Sequence, residues 1–156
     1  MMNPQIKNGL LAGAVGAVIN FCVSLILGFC GPLVGLAAGG AAGFLTARGG
    51  GFATKGDAAK AGAISGAVAG AVVLVAQVGA GIANLIYIQV SGTQLPFGSV
   101  PGAGSSGSEM AIFYGTGLLT GVCIGIVDIV VGALAGAGAG ALAGGNAPAA
   151  PSQPSM

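Results

Sequence analysis

Histidine is absent from this chain, and charge nearly so: four Lys or Arg and three Asp or Glu stand among 156 residues. The first absence excludes histidine ligation of haem, chlorophyll, zinc or copper by this chain, and it removes the commonest general base. The second bears on solvent. Soluble domains carry about a quarter charged residues, whereas this sequence carries 4%. So few charges cannot cover the surface of a water-soluble protein of this size, and the expected solvent is lipid. A net charge of +1 offers no electrostatic footprint for nucleic acid. With three cysteines there is no disulfide framework. Cys22 and Cys123 fall in apolar runs and Cys30 at an expected turn, so they read as packing residues.

What the sequence has is glycine, 33 residues of it, in a chain that is 54% hydrophobic. In a soluble helix each glycine costs roughly 1 kcal/mol relative to alanine. In lipid, small residues let helix backbones approach closely, and packing drives association. Four apolar stretches, residues 6–29, 32–47, 61–90 and 110–142, read as membrane-spanning helices. Crossing a hydrocarbon core takes about 20 residues. Pro32 suits the first turn of the second helix. The second stretch is short, and the fourth is too long for one upright crossing. Residues 48–60 read as a charged, glycine-rich loop, a hinge without the order of a phosphate loop. Residues 91–109 read as an aqueous loop. The tail, residues 146–156, contains Pro148, Pro151 and Pro154 and reads as disordered. The first apolar core is long for a cleaved leader, and Cys22 and Cys30 both follow phenylalanine, unlike a lipoprotein signal.

The basic residues give an orientation. Lys7 precedes the first segment, and Arg48, Lys55 and Lys60 lie between the second and third. Four crossings put them all on one face, which the positive-inside rule makes cytoplasmic. The expectation is therefore an all-α integral membrane four-helix bundle in the cell's inner membrane, with both termini inside. The basic loop can also touch anionic headgroups. Tyr87 and Tyr114 suit the interfacial belt at the other face.

The small residues recur at a helical spacing. Gly35, Gly39 and Gly43 are four apart, as are Gly62, Gly66 and Gly70, and Gly117, Gly121 and Gly125. Gly132, Gly136, Gly140 and Gly144 continue the last series. Residues four apart share a helix face, so each series makes a groove for a neighbouring helix. Polar residues fall on the same stripes. Asn20 and Ser24 follow Gly9, Gly13 and Gly16; Gln77 and Asn84 follow Gly70; Asp128 lies between Gly125 and Gly132. Polar groups in lipid turn inward, so Asn20, Gln77, Asn84 and Asp128 are expected to point at other helices. A short echo, Gly9–Gly13 against Gly117–Gly121, has the character of an inverted repeat and places Asn20 opposite Asp128.

Asp128 is the one acidic residue well inside an expected span. Intramembrane carboxylates often mark ion paths. Two structural readings stand beside that one: a carboxyl hydrogen-bonded to Asn20 or a backbone carbonyl, or a position near the cytoplasmic surface. No catalytic residue, cofactor or metal site is expected. Asp57 and Glu109 fall on opposite faces, and Ser24 and Ser65 have no base near them in sequence. The leading expectation is a non-catalytic structural protein, an accessory subunit or a self-associating oligomer. The alternative is a small transporter or channel using Asp128.

Overall fold

The computed structural model describes residues 3–27, 31–92, 101 and 105–144. Cys30, the tail from residue 146 and most of the 91–109 loop lie outside them, as do the side chains of 23–27 and 31, Ser24 among them. Among the described residues the chain is all-α. It forms α1 (Pro4–Leu27), α2 (Gly31–Gly50), α3 (Lys55–Ser91) and α4 (Gly107–Gly144). No strand occurs among them.

The helices overrun the expected spans, and their caps explain why. The charged segment expected as a loop at 48–60 shrinks to residues 51–54. Gly51, with φ of +55°, ends α2 in the left-handed conformation that glycine adopts without penalty. Thr54 is extended and caps α3: its Oγ1 accepts from the Asp57 amide at 3.1 Å, and its hydroxyl donates to Asp57 Oδ2 at 2.8 Å. The acidic side chain also suits the positive end of the helix dipole. At α4, the amide and hydroxyl of Ser106 donate to Glu109 Oε2 at 2.8 and 3.0 Å. The Glu109 amide donates back to Ser106 Oγ at 3.4 Å, closing a capping box. The glycine-rich run read as a hinge is therefore helix on both sides of a four-residue link.

Pairings fix the directions. Asn8 Nδ2 donates to Thr46 Oγ1 at 3.3 Å, so α1 and α2 are antiparallel. Gly9 lies on Ser65 and Val68, and Gly13 on Ala69 and Val72, so α1 and α3 run parallel. Gly62 faces Gly136 and Gly140 whereas Gly117 faces Leu85, so α3 and α4 are antiparallel. Lys7, Arg48, Lys55 and Lys60 consequently share one end of the bundle with the last turn of α4, where Gly144 meets Ala58. In cross-section α2 and α3 meet on the short diagonal. Among the described residues α1 and α4 do not touch. That arrangement overturns the placement of Asn20 opposite Asp128.

The interior is built from the smallest side chains. Ala38, Ala42, Ala69 and Val73 form its apolar cluster, joined by the half-buried Ala12 and Val34. Of the fully buried side chains the largest are Val73, Asn20, Asp128 and Ser65. Many of the leucines and isoleucines face outward, Leu11, Leu33, Leu119, Leu134 and Leu142 among them, whereas Ile88 is buried. Helices α3 and α4, of 37 and 38 residues, are long and apolar enough to cross a membrane.

Glycine sets the spacing between α4 and its two neighbours. A methyl group on Gly39 would overlap the Gly132 carbonyl, and one on Gly43 the Gly136 carbonyl. The same holds for Gly62 against Gly136 and for Gly66 against Gly132. Gly35 and Gly70 face Asp128 and its neighbour Ile129, and Gly140 faces Ala58. Gly125 seats Leu74, and Gly117 seats Leu85. Gly121, expected to pack, has open space where its side chain would be.

Gly39→Ala is expected to lower stability by about 1–3 kcal/mol, the range for overpacking where neighbours cannot yield. Gly40 has no neighbour in its Cβ direction, so Gly40→Ala should raise stability by up to about 1 kcal/mol. Thermal unfolding followed by circular dichroism compares the two; equal effects would contradict the packing described.

The bonds from Ser106 hold the Glu109 carboxyl below the usual carboxylate range, the backbone amide acting more than the hydroxyl. A depressed carboxylate stabilises the fold above its ordinary pKa and loses that contribution as pH falls through the lowered value. The protection of amides in the first turn of α4, taken relative to intrinsic exchange at each pH, should therefore fall on acidification. Glu109→Gln should remove the pH dependence.

Candidate functional site

Asp128 is fully buried where α2, α3 and α4 meet. Two glycines make room for it. A Cβ on Gly35 would stand 3.2 Å from that of Asp128, and one on Gly70 would stand 2.7 Å from its carbonyl oxygen. Neither carboxyl oxygen has a hydrogen-bond partner. The first structural reading drawn from the sequence is thus set aside: the carboxyl bonds neither Asn20 nor a carbonyl among the described residues. Buried polar groups are paired in the large majority of cases, and each exception calls for a reason.

The other sequence candidates separate. Asn20 is fully buried and its Nδ2 donates to Gln77 Oε1 at 3.4 Å. This bond ties α1 to α3, not to α4. Asn84 is exposed, contrary to the inward position expected of it. It lies on the far half of α3, where Leu85 and Gln89 meet Gly117, Tyr114 and Met110 of α4. Cys22 and Cys123 are exposed, so they are not packing residues.

Three polar features lay outside the sequence candidates. Thr46 is buried and accepts from Asn8. Ser65 is fully buried and satisfies itself by donating to the Gly62 carbonyl at 3.1 Å. At the opposite end, the half-buried Tyr114 hydroxyl donates to Gln89 Oε1, and Gln89 Nε2 donates to Met110 Sδ at 3.2 Å. Tyr114 is thus a bridge between α3 and α4, whereas Tyr87 is exposed. Position alone could have flagged this cluster, because Gln89 and Tyr114 flank the same loop. At the basic end, the Arg48 guanidinium lies 4.4 Å from the centre of the Phe44 ring, a cation–π contact.

No protein-family model matches this sequence, and no curated protein or solved structure matches it significantly. Among the described residues, no three His, Cys, Asp or Glu side chains come together as a metal site would require.

Burial separates the two asparagines in a measurable way. Asn20→Ala leaves the Gln77 amide short of a partner and should cost about 1–3 kcal/mol. Asn84→Ala, at an exposed position, should stay within about 0.5 kcal/mol of the parent. Denaturant titration of both variants checks the assignment, and it fails if the order is reversed.

Proposed function

We propose that this chain is a multi-pass membrane protein with a structural or accessory role, a four-helix unit that assembles with itself or with other membrane subunits. One observation carries the membrane reading. The most apolar stretches of α3 and α4 are only 11% and 17% buried. A core helix of a soluble protein hides such a stretch; here it faces outward, while glycine and alanine fill the interior. Burying apolar area is the main drive to fold in water, and this fold forgoes most of it. Lipid as the surrounding medium removes the contradiction.

The rest of the geometry fits that setting. Helix α2, of 20 residues, is about 30 Å long, the thickness of a hydrocarbon core. The four basic residues at one end favour a cytoplasmic location for that end, with both termini beside it, in the inner membrane. Gly40, Gly79 and Gly138 have open space in their Cβ directions, leaving smooth outward patches where another helix can approach. The partners of this reading are the bilayer and other membrane subunits or further copies of the chain, with no nucleic acid, cofactor or catalytic step.

A second reading, a transporter or channel, is favoured by one observation: the unpartnered, fully buried carboxyl of Asp128. Such groups often belong to ion or proton pathways.

The primary reading expects the protein to require detergent for extraction and to run on native sizing as an oligomer or with co-purifying subunits. A folded species dispersed in plain buffer would overturn the membrane assignment. A lone monomer in detergent would overturn the assembly role. For the second reading, proteoliposomes should pass protons or cations, and Asp128→Asn should abolish the flux. Equal flux from both proteins removes Asp128 from the pathway.

A further inference from the structure

Among the described residues, every buried polar side chain but one is spoken for. Thr46 accepts from Asn8, Ser65 donates to the Gly62 carbonyl, and Asn20 donates to Gln77. Asp128 is fully buried with both carboxyl oxygens unbonded. No counter-charge faces it from the helices packed around it. The charged residue of α2, Arg48, lies about 20 Å along the axis from Gly35. The nearest charge on α3, Lys60, lies about 15 Å from Gly70, with Lys55 and Asp57 beyond it, and Tyr87 lies about 25 Å away in the other direction. On α4 itself Tyr114 is about 20 Å away, Glu109 farther, and Cys123 is exposed. Helix α1, which carries Lys7 and Cys22, does not touch α4 among the described residues.

We propose that Asp128 is a single-proton site: in this closed arrangement its carboxyl holds one proton, and it takes no metal cation. The inference rests on the second reading above, that this carboxyl belongs to an ion pathway, and names the ion. Two features select it. An ionised carboxylate with neither donor nor counter-ion is a costly group inside a protein, and a bound proton removes the charge at the site itself. A hard metal cation such as calcium takes about six to eight oxygen ligands, and Asp128 brings two. The other acids are elsewhere: Asp57 and Glu109 are exposed and bonded to Thr54 and Ser106. No three His, Cys, Asp or Glu side chains converge among the described residues. The carbonyls of Gly35, Gly70 and Gly132 lie inside helices, where the ladder already uses them. Room is lacking too. A single added carbon on Gly35 would come 3.2 Å from the Asp128 Cβ, and one on Gly70 2.7 Å from its carbonyl oxygen. A space that does not admit a methyl group freely does not admit a hydrated ion. The same closeness means that the proton is loaded and released only when α4 parts from α2 and α3 at that level.

Asp57 and Asp128 are the chain's aspartates, which makes the ion readable. The full-length protein is made by cell-free synthesis with aspartate carrying carbon-13 at Cγ, and its carboxyl signals are followed by NMR in detergent micelles. Asp128→Asn and Asp57→Asn each remove one signal, so misfolding of either variant leaves the other to make the assignment. At neutral pH the exposed Asp57 is expected at the carboxylate position and Asp128 at that of the neutral acid. Sodium, potassium, magnesium or calcium chloride should leave the Asp128 signal where it is. A saturable shift of that signal with one of these salts overturns the proposal in favour of a metal site. A carboxylate signal that titrates together with Asp57 overturns it as well. Flux in proteoliposomes separates the proposal from the reading beneath it. Asp128-dependent flux of a metal cation without protons overturns the proton assignment and keeps the transport reading. A neutral, salt-insensitive Asp128 in a protein that passes neither overturns the transport reading and keeps the bound proton.

Discussion

Gly132 and Gly136 of α4 each lie against two helices at once. A side-chain carbon on Gly132 would come 2.8 Å from the Gly66 carbonyl of α3 and 3.4 Å from the Gly35 carbonyl of α2. On Gly136 it would meet Gly66 of α3 at 3.0 Å and the Gly39 carbonyl of α2 at 3.1 Å. No other residue fits at such positions, because the obstructing atoms are backbone and cannot rotate away. This double approach makes α2, α3 and α4 a tight triad. Helix α1 is added by Gly9, Gly13 and Gly16 from the opposite side of the α2–α3 diagonal. The cohesion of such an interface is dispersion summed over many atoms in close contact. The hydrophobic burial that organises a soluble core plays a small part.

The triad explains how a carboxyl comes to be sealed inside. With glycine at 35 and 70, the α4 backbone sits so close to α2 and α3 that whatever side chain stands at 128 is enclosed. A larger residue at either glycine would push α4 outward and give the carboxyl a route to the surface. The burial of Asp128 is therefore a property of three positions, not of one. The same closeness separates α4 from α1, so Asn20 finds Gln77 and leaves Asp128 without an amide to bond.

Four helices and an all-α fold were legible in the sequence, because four long apolar stretches are separated by polar, glycine- and proline-bearing breaks. The helix ends were legible too, but in a different pattern. Thr54 with Asp57, and Ser106 with Glu109, each have a hydroxyl residue followed three positions later by an acid, the signature of a capping box. Weighing glycine and charge at 48–60 as loop signals hides that pattern. Lateral arrangement was not legible. Whether α1 or α4 faces a given stripe depends on which diagonal of the bundle is short, and periodicity within a helix carries no information about that. Asn84 and Gly121 show the consequence: each continues a stripe in register, yet Asn84 is exposed and Gly121 has open space in its Cβ direction.

The reach of the triad follows from length. Helices α3 and α4 are nearly twice as long as α2, at 37 and 38 residues against 20. The glycine triad can persist only as far as α2 reaches, near Gly35 and Asp128. Past that level α4 has only α3 against it among the described residues, while α1 stays along α3 through the bond of Asn20 to Gln77, and the contacts between α3 and α4 change from backbone against backbone to leucine against glycine at Leu74 and Leu85. Polar bridging then takes over from close packing, in the bond between Tyr114 and Gln89. The chain thus has a rigid half, held by shape, and a looser half, held by a few side chains. In the proposed bilayer the rigid half carries the basic end and the sealed carboxyl. The looser half offers open volume to its surroundings. The proposed role, assembly with others in a membrane, would draw on both: one part that keeps its own form, and another whose surface is completed by what it meets.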